Sequence, residues 1–371
     1  MTENKKFYFN NLDSLRGIAA LSVIFYHFPR WLNFPDGNFS EAVQRIISFS
    51  HNGGPLAVRF FFVLSGFLIT YLMLDEERVT GKFSIKKFYI RRVLRIFPIY
   101  YISLIFGFVI YPLLMKWMHV SYAEVSSPFY FSMFLANFDV MYHHHPVNGL
   151  LGLQWSVAVE EQFYLFAPLV FLFVNKKIFP WVQLLFIAAS YIFYLNHWDD
   201  GTSVPHYHTL SVLSYLSFGC LLAWVCRFHL SSVETILQKI PRFVSLLIYV
   251  LVLTFIFFLD EIHAAVPFFN AIFLKVISTL FFGFVILEQV YSSKSFFKLG
   301  KIKVLSWLGK ISYGLYIYHM TAIYLVIYFY GLNENTVFTQ MVVALALSIL
   351  FSWFSYRFIE KYFRNLRTKF S

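Results

Sequence analysis

Stretches of about 20 predominantly apolar residues, enough for a helix to cross a bilayer, recur along this chain from one end to the other. They fall near 13–33, 56–75, 97–117, 152–174, 180–196, 209–227, 244–260, 267–289, 308–330 and 337–358. A soluble core cannot absorb them, because 59% of the 371 residues are hydrophobic, only 13% are charged, and 48 are Phe and 25 Tyr. Hydrocarbon offers no water to backbone polar groups, so such runs must satisfy their own hydrogen bonds as helices. The expected fold is all-α, a polytopic membrane bundle of about ten transmembrane helices in a single domain, 1–371. Lys5 and Lys6 precede the first run as they would in a cleaved signal peptide. No small-residue cleavage site follows His27, so that run is expected to be retained as the first span.

Loop charge sets the expected orientation. The stretch Ser126 to Val140 is apolar but short and carries Asn137 and Asp139, so it could cross, re-enter or lie at the interface. If it does not cross, the amino terminus, Lys82 to Arg95, Lys176 and Lys177, Arg227 to Arg242, Lys294 to Lys303 and Lys361 to Lys369 all share one side. Basic loops are retained in the cytoplasm, so both termini are expected there. Loops containing Asn52, His144 and Gly201 are then external, and those containing Lys86, Lys176 and Lys301 cytoplasmic. The net charge of +11 reads as topology and attraction to anionic membrane lipid, not as nucleic-acid binding, for which no motif is present. Cys220 and Cys226 fall on different faces of one apolar segment and are expected to pack, with no disulfide or metal role.

Ionisable residues inside spans are costly and tend to face a wet cavity or a partner. Arg16 and His27 are eleven residues apart in one run, close to three helical turns, and so share a stripe about 16 Å long. On the expected topology His27 lies about 21 Å along its span, and Glu160 and Glu161 lie about 12–14 Å below the external face, at a similar depth. A histidine and a carboxylate at matching depth suit general-base chemistry, a structural ion pair, or a transporter's proton relay. Glu160 and Glu161 point about 100° apart, so only one is expected to face His27. Arg91, Arg92 and Arg95 precede Pro98, which suits an interfacial helix leading into the third span. Their guanidinium forks fit phosphates, and positive-inside anchoring explains them equally. Ser65 and Gly66 near mid-membrane suit close helix packing, and His319 divides evenly between site and structure. The run His143 to His145 lacks convergent carboxylates, so no metal is expected.

Taken together, these segments resemble the acyltransferase-3 family of bacterial integral-membrane acyltransferases. The resemblance covers nearly the whole chain in order: Arg16 and His27 as R-x10-H, Phe61 to Phe67 as FF-x-x-SGF, Arg91 to Tyr100 as RR-x-x-RI-x-P-x-Y, Trp155 to Tyr164 as WS-x-x-VEEQFY, Gly309 to His319 as GK-x-SYGLY-x-x-H, and the closing Ser355 to Arg364. It implies a bacterial inner-membrane O-acyltransferase carrying an acyl group, usually acetyl, from cytoplasmic acyl-CoA (acetyl-CoA) to a hydroxyl of a surface carbohydrate, glycolipid or related acceptor. On that implication Arg16, Arg91, Arg92 and Arg95 hold the donor. His27 acts as base or transient acyl carrier, Glu160 or Glu161 orients it, and Ser65, Tyr164 and His319 shape the site. The soluble hydrolase-like domain that some relatives carry is not expected after the last span. A transporter or flippase of lipid-linked sugars or acyl compounds is the other reading, although the internal repeats that many transporters show are absent. Acceptor identity and oligomeric state are left open.

Overall fold

The computed structural model describes residues 9–31, 41–143, 146–331 and 336–370. Helices occupy the described residues of all ten apolar windows, and no strand occurs among the described residues. Among those residues seven helical stretches are long and apolar enough to cross a membrane. The number becomes nine if each of two bent pairs, Leu230–Lys239 with Arg242–Phe257 (88°) and Lys303–Lys310 with Ser312–Tyr330 (78°), counts as one span. The first helix, Asn10–Trp31, is long enough at 22 residues but is not among the seven, because Asp13, Ser14, Arg16 and His27 dilute its apolar character.

The helix expected over Arg91 to Arg95, leading into the third span, is one continuous helix, Ile85–Ile105, that carries the arginines and runs through Pro98. Ser84 caps its start, accepting from the Lys87 N–H at 3.4 Å. A proline removes a single backbone donor, and membrane helices absorb that loss by small local adjustments. The ambiguous stretch Ser126 to Val140 forms no spanning helix. It folds as two short helices, Pro128–Ser132 and Ala136–Tyr142, separated by Phe134 at φ +55°. Buried Asn137 explains the break: its amide donates to the Tyr207 carbonyl and to Thr209 at 3.2 Å each, while its oxygen accepts from Gln162 at 2.8 Å.

The chain divides into two compact units, Met1–Ala57 with His229–Tyr313, and Val58–Phe228 with Gly314–Ser371. In the first unit, helix Asn10–Trp31 crosses helix Lys303–Lys310 so closely that only glycine fits. A Cβ on Gly309 would collide with the Asp13 carbonyl, and one on Gly17 would stand 2.6 Å from the Leu305 oxygen. Polar bonds tie the same crossing: Ser14 donates to the Leu299 carbonyl at 3.0 Å, and Asn11 accepts from the Gly300 N–H at 2.7 Å. In the second unit, helix Thr209–Phe228 meets the Ser65–Gly66 turn, where a Cβ on Gly66 would strike the Leu216 carbonyl and one on Gly219 the Val63 carbonyl. The expected packing role of Gly66 is thus observed, and Cys220 and Cys226 are buried in the same helix as Gly219, with no disulfide between them.

Candidate functional site

Within the second unit, close approach at Gly66 brings the neighbouring Ser65 to the helix Gln154–Phe173. Ser65 donates to Glu160 Oε1 at 2.8 Å, and the Tyr164 hydroxyl, one turn on from Glu160, bonds Glu160 Oε2 at 2.9 Å and Ser65 Oγ at 3.0 Å. The three residues form a closed acid–hydroxyl cluster. Ser156, one turn earlier, shares a 2.5 Å hydrogen bond with Tyr316, whose ring centre lies 6.2 Å from that of His319. His319 is fully buried, with Nδ1 3.1 Å from the Leu315 carbonyl oxygen.

Glu160 and Glu161 diverge, as their 100° separation requires. Glu161 leaves the hydroxyl cluster and feels the charges of Arg92 and Arg95, with one buried carboxylate oxygen, Oε1, accepting no hydrogen bond among the described residues. Arg92 lies 5.5 Å from the centre of the Tyr164 ring and 5.6 Å from that of Phe88, and its buried Nε donates to nothing among the described residues. Tyr164 therefore touches both systems, by its hydroxyl and by its ring.

The arginine cluster is larger than the sequence reading anticipated. Helix Lys361–Thr368 packs on helix Ile85–Ile105 and brings Arg367 into electrostatic range of Arg91 and Arg95, with Arg364 in range of Arg367. Arg364 stacks 4.4 Å from the centre of the Tyr356 ring. Against five guanidinium groups stand three carboxylates: Glu76, which pairs with Arg91 at 2.5 Å, Glu161 beside Arg92 and Arg95, and Glu360, whose buried Oε1 accepts nothing among the described residues. Arg91 also donates to the Phe370 carbonyl at 3.0 Å, so it is the most committed of the five. The i, i+3 spacing of Arg364 and Arg367 on one face was the available signal.

In the first unit, helix Asn10–Trp31 is unbroken, so Arg16 and His27 occupy one stripe as predicted. Arg16 pairs with Asp13 at 3.3 Å. His27 is half-buried, with Nδ1 2.9 Å from the Val23 carbonyl oxygen. A neutral imidazole that donates from Nδ1 carries its lone pair on Nε2, the form a base needs. Tyr26 stands edge-on to His27 at 4.6 Å and to His51 at 6.1 Å, and a Cβ on Gly54 would collide with its ring.

Sequence reasoning also missed Glu124. It lies in a connecting loop and accepts from the Tyr122 hydroxyl (2.5 Å), the Ser126 hydroxyl (2.9 Å) and the N–H groups of Val125, Ser126, Val147 and Asn148 (3.0–3.2 Å). Burial pushes its pKa up, but these hydrogen bonds outweigh burial and hold the carboxyl below its ordinary value. The clamped Asn148 in turn caps the Leu150 N–H at 2.9 Å, fixing the approach to the helix that carries Glu160. Among the described residues no group of His, Cys, Asp and Glu could hold a metal ion. His144 and His145 lie outside those residues.

Fold and chemistry together define a class: a multi-pass helical membrane protein with a partly buried acid–hydroxyl cluster beside an array of arginines. Residues 9–357 match the family model of the acyltransferase-3 (acyltransferase domain) family, and the chain belongs to that family. It is 32% identical over 98% of its length to a candidate O-acetyltransferase of Staphylococcus aureus (strain COL), covering 59% of that protein. It is 28% identical over 97% of its length to the peptidoglycan O-acetyltransferase OatA of Listeria monocytogenes, covering 56% of it. A candidate peptidoglycan O-acetyltransferase of Bacillus subtilis is 28% identical over 96% of the chain, which covers 55% of that relative. The chain thus spans little more than half the length of these relatives. No solved structure matches it.

Proposed function

We propose that this chain is a bacterial inner-membrane O-acyltransferase, both termini cytoplasmic, that moves an acetyl group from cytoplasmic acyl-CoA to a hydroxyl of a surface carbohydrate or glycolipid at the external face. The reading rests most on Tyr164, which joins the arginine array to the Glu160 carboxylate. A donor with several phosphates and a neutral thioester needs this sequence of environments, cations first and acid–base groups beyond. Five guanidinium groups facing three carboxylates, with the Arg92 Nε buried and unsatisfied among the described residues, fit an anion of high charge.

Arg92, Arg95, Arg364 and Arg367 hold the phosphates, Arg91 braces them through Glu76, and Arg16 helps place the donor. His27 takes the acceptor's hydroxyl proton, the oxygen attacks the thioester carbonyl, and the carbon–sulfur bond breaks, the proton held by His27 passing to the leaving thiolate to release CoA thiol. Alternatively His27 carries the acyl group between donor and acceptor. Glu160 and Glu161 serve as the carboxylates of the reaction, with Ser65, Tyr164 and His319 shaping the site. The family match spans parts of both units, which supports their acting as one acyltransferase domain.

The donor assignment is tested with purified full-length protein in nanodiscs, measuring CoA affinity and thiol release from labelled acetyl-CoA. The double variant Arg92→Ala, Arg364→Ala should bind CoA at least about 10-fold more weakly, since each charge-assisted bond contributes about 1.5–3 kcal/mol. Lysine at both positions should restore only part of the affinity, because the fork is lost. Unchanged affinity in the folded double variant would reduce the array to a topology anchor. A wild-type protein that releases no thiol would favour transport instead.

A further inference from the structure

A second cation stands apart from the five-arginine array. Arg59 lies on helix Glu41–Thr80, about one turn inside its apolar run, where a charge is expensive unless it faces a cavity or a partner. Among the described residues it forms no ion pair and no hydrogen bond. Its guanidinium carbon lies 6.0 Å from the centre of the Tyr215 ring. Tyr215 is only 2% exposed, so Arg59 turns inward among helices instead of snorkelling along lipid. Tyr194 and His206 lie within reach of its charge. From His206 the aromatic lining continues: Tyr207 is 6.4 Å on, and Trp155 stands edge-on to Tyr207 at 4.9 Å. Trp155 precedes Glu160 by five residues on the same helix, about 7.5 Å along the axis.

An arginine without a carboxylate, walled by aromatic rings that lead toward an acid–hydroxyl cluster, has the makings of a substrate subsite. Its planar fork matches one carboxylate in bidentate geometry, whereas multiply charged phosphates suit the larger array. Flat aromatic faces cover the apolar C–H surface of a sugar ring while leaving its hydroxyls to water. We propose that Arg59, Trp155, Tyr194 and Tyr207 form a recognition subsite for a carboxylate-bearing saccharide. The guanidinium grips the carboxylate and the rings bed the neighbouring sugar. This deepens the acyltransferase reading by assigning the acceptor's charge, and rests on that reading only in calling the saccharide an acceptor.

The test uses full-length protein in nanodiscs of zwitterionic lipid, with no acyl donor present. Binding of a glucuronic acid oligomer and of its neutral methyl ester is compared by calorimetry. Wild-type protein should bind the acid at least 10-fold more tightly than the ester. Arg59→Gln should bring the two to near parity, and Arg59→Lys should fall between, each variant being checked for an unchanged melting temperature. Equal binding of acid and ester by wild type, or an undiminished preference in folded Arg59→Gln, would overturn the subsite. So would a variant that loses co-purifying anionic lipid while keeping its saccharide preference, since Arg59 would then hold a headgroup. Because no donor is present, failure here leaves acetyl transfer standing, and thiol release from acetyl-CoA tests that separately.

Discussion

Glu160, Glu161 and Glu124 are three carboxylates placed in three different ways by their partners. Adjacent in sequence, Glu160 and Glu161 answer to hydroxyls and to arginines respectively, a split that helix geometry alone foretells. Glu124 was illegible because its donors are mostly backbone N–H groups, two of them 23 and 24 residues away across a loop that only the fold closes. Its folded pKa lies below the unfolded value, so it binds fewer protons when folded. Its stabilisation is therefore complete above the ordinary carboxylate range and is lost as pH falls through the folded pKa. Glu124→Gln should lower stability by about 1–3 kcal/mol at pH 7. Melting followed between pH 7 and pH 3 should show wild type and variant converging at the acid end. A constant gap across that range would mean that the carboxylate charge is not what holds the loop.

At the scale of helices, the apolar windows were legible because a bilayer demands length and hydropathy and little else. What escaped was whatever depends on one helix meeting another. The break at Phe134 follows from the buried bonds of Asn137, and the arginine array grows from three to five because Lys361–Thr368 folds back on Ile85–Ile105. Gly66 and Gly219 show how strict such meetings are, each being blocked from a Cβ by the partner helix's backbone carbonyl. A carbonyl held in its own helix cannot rotate away as a side chain would. Gly66→Val should therefore cost at least about 1–3 kcal/mol, the range for overpacking a tight core, and should pull Ser65 off Glu160. Gly152→Ala, where the added Cβ meets nothing within 4 Å, is the matched control. Thermal unfolding in detergent should separate the two, and equal melting temperatures would mean that the helices part easily at Gly66.

For the molecule as a whole, the proposed roles divide between the units: Arg16 and His27 belong to one, and Glu160, Tyr164 and the arginine array to the other. Spacing in the sequence announced the first pair, since eleven residues in an unbroken helix fix a shared stripe. Only the folded second unit gathers the rest, because Ser65, Arg92, Glu160 and Arg364 come from four separate helices. Donor binding and chemistry should accordingly fail independently of each other. The decisive measurement is made on purified His27→Ala protein, recording CoA affinity and acetyl transfer on the same sample. Loss of a general base or acyl carrier should lower transfer by about 10²- to 10⁴-fold while CoA affinity stays within about 2-fold of wild type. A folded His27→Ala protein that transfers acetyl at close to the wild-type rate would contradict the proposed role of His27.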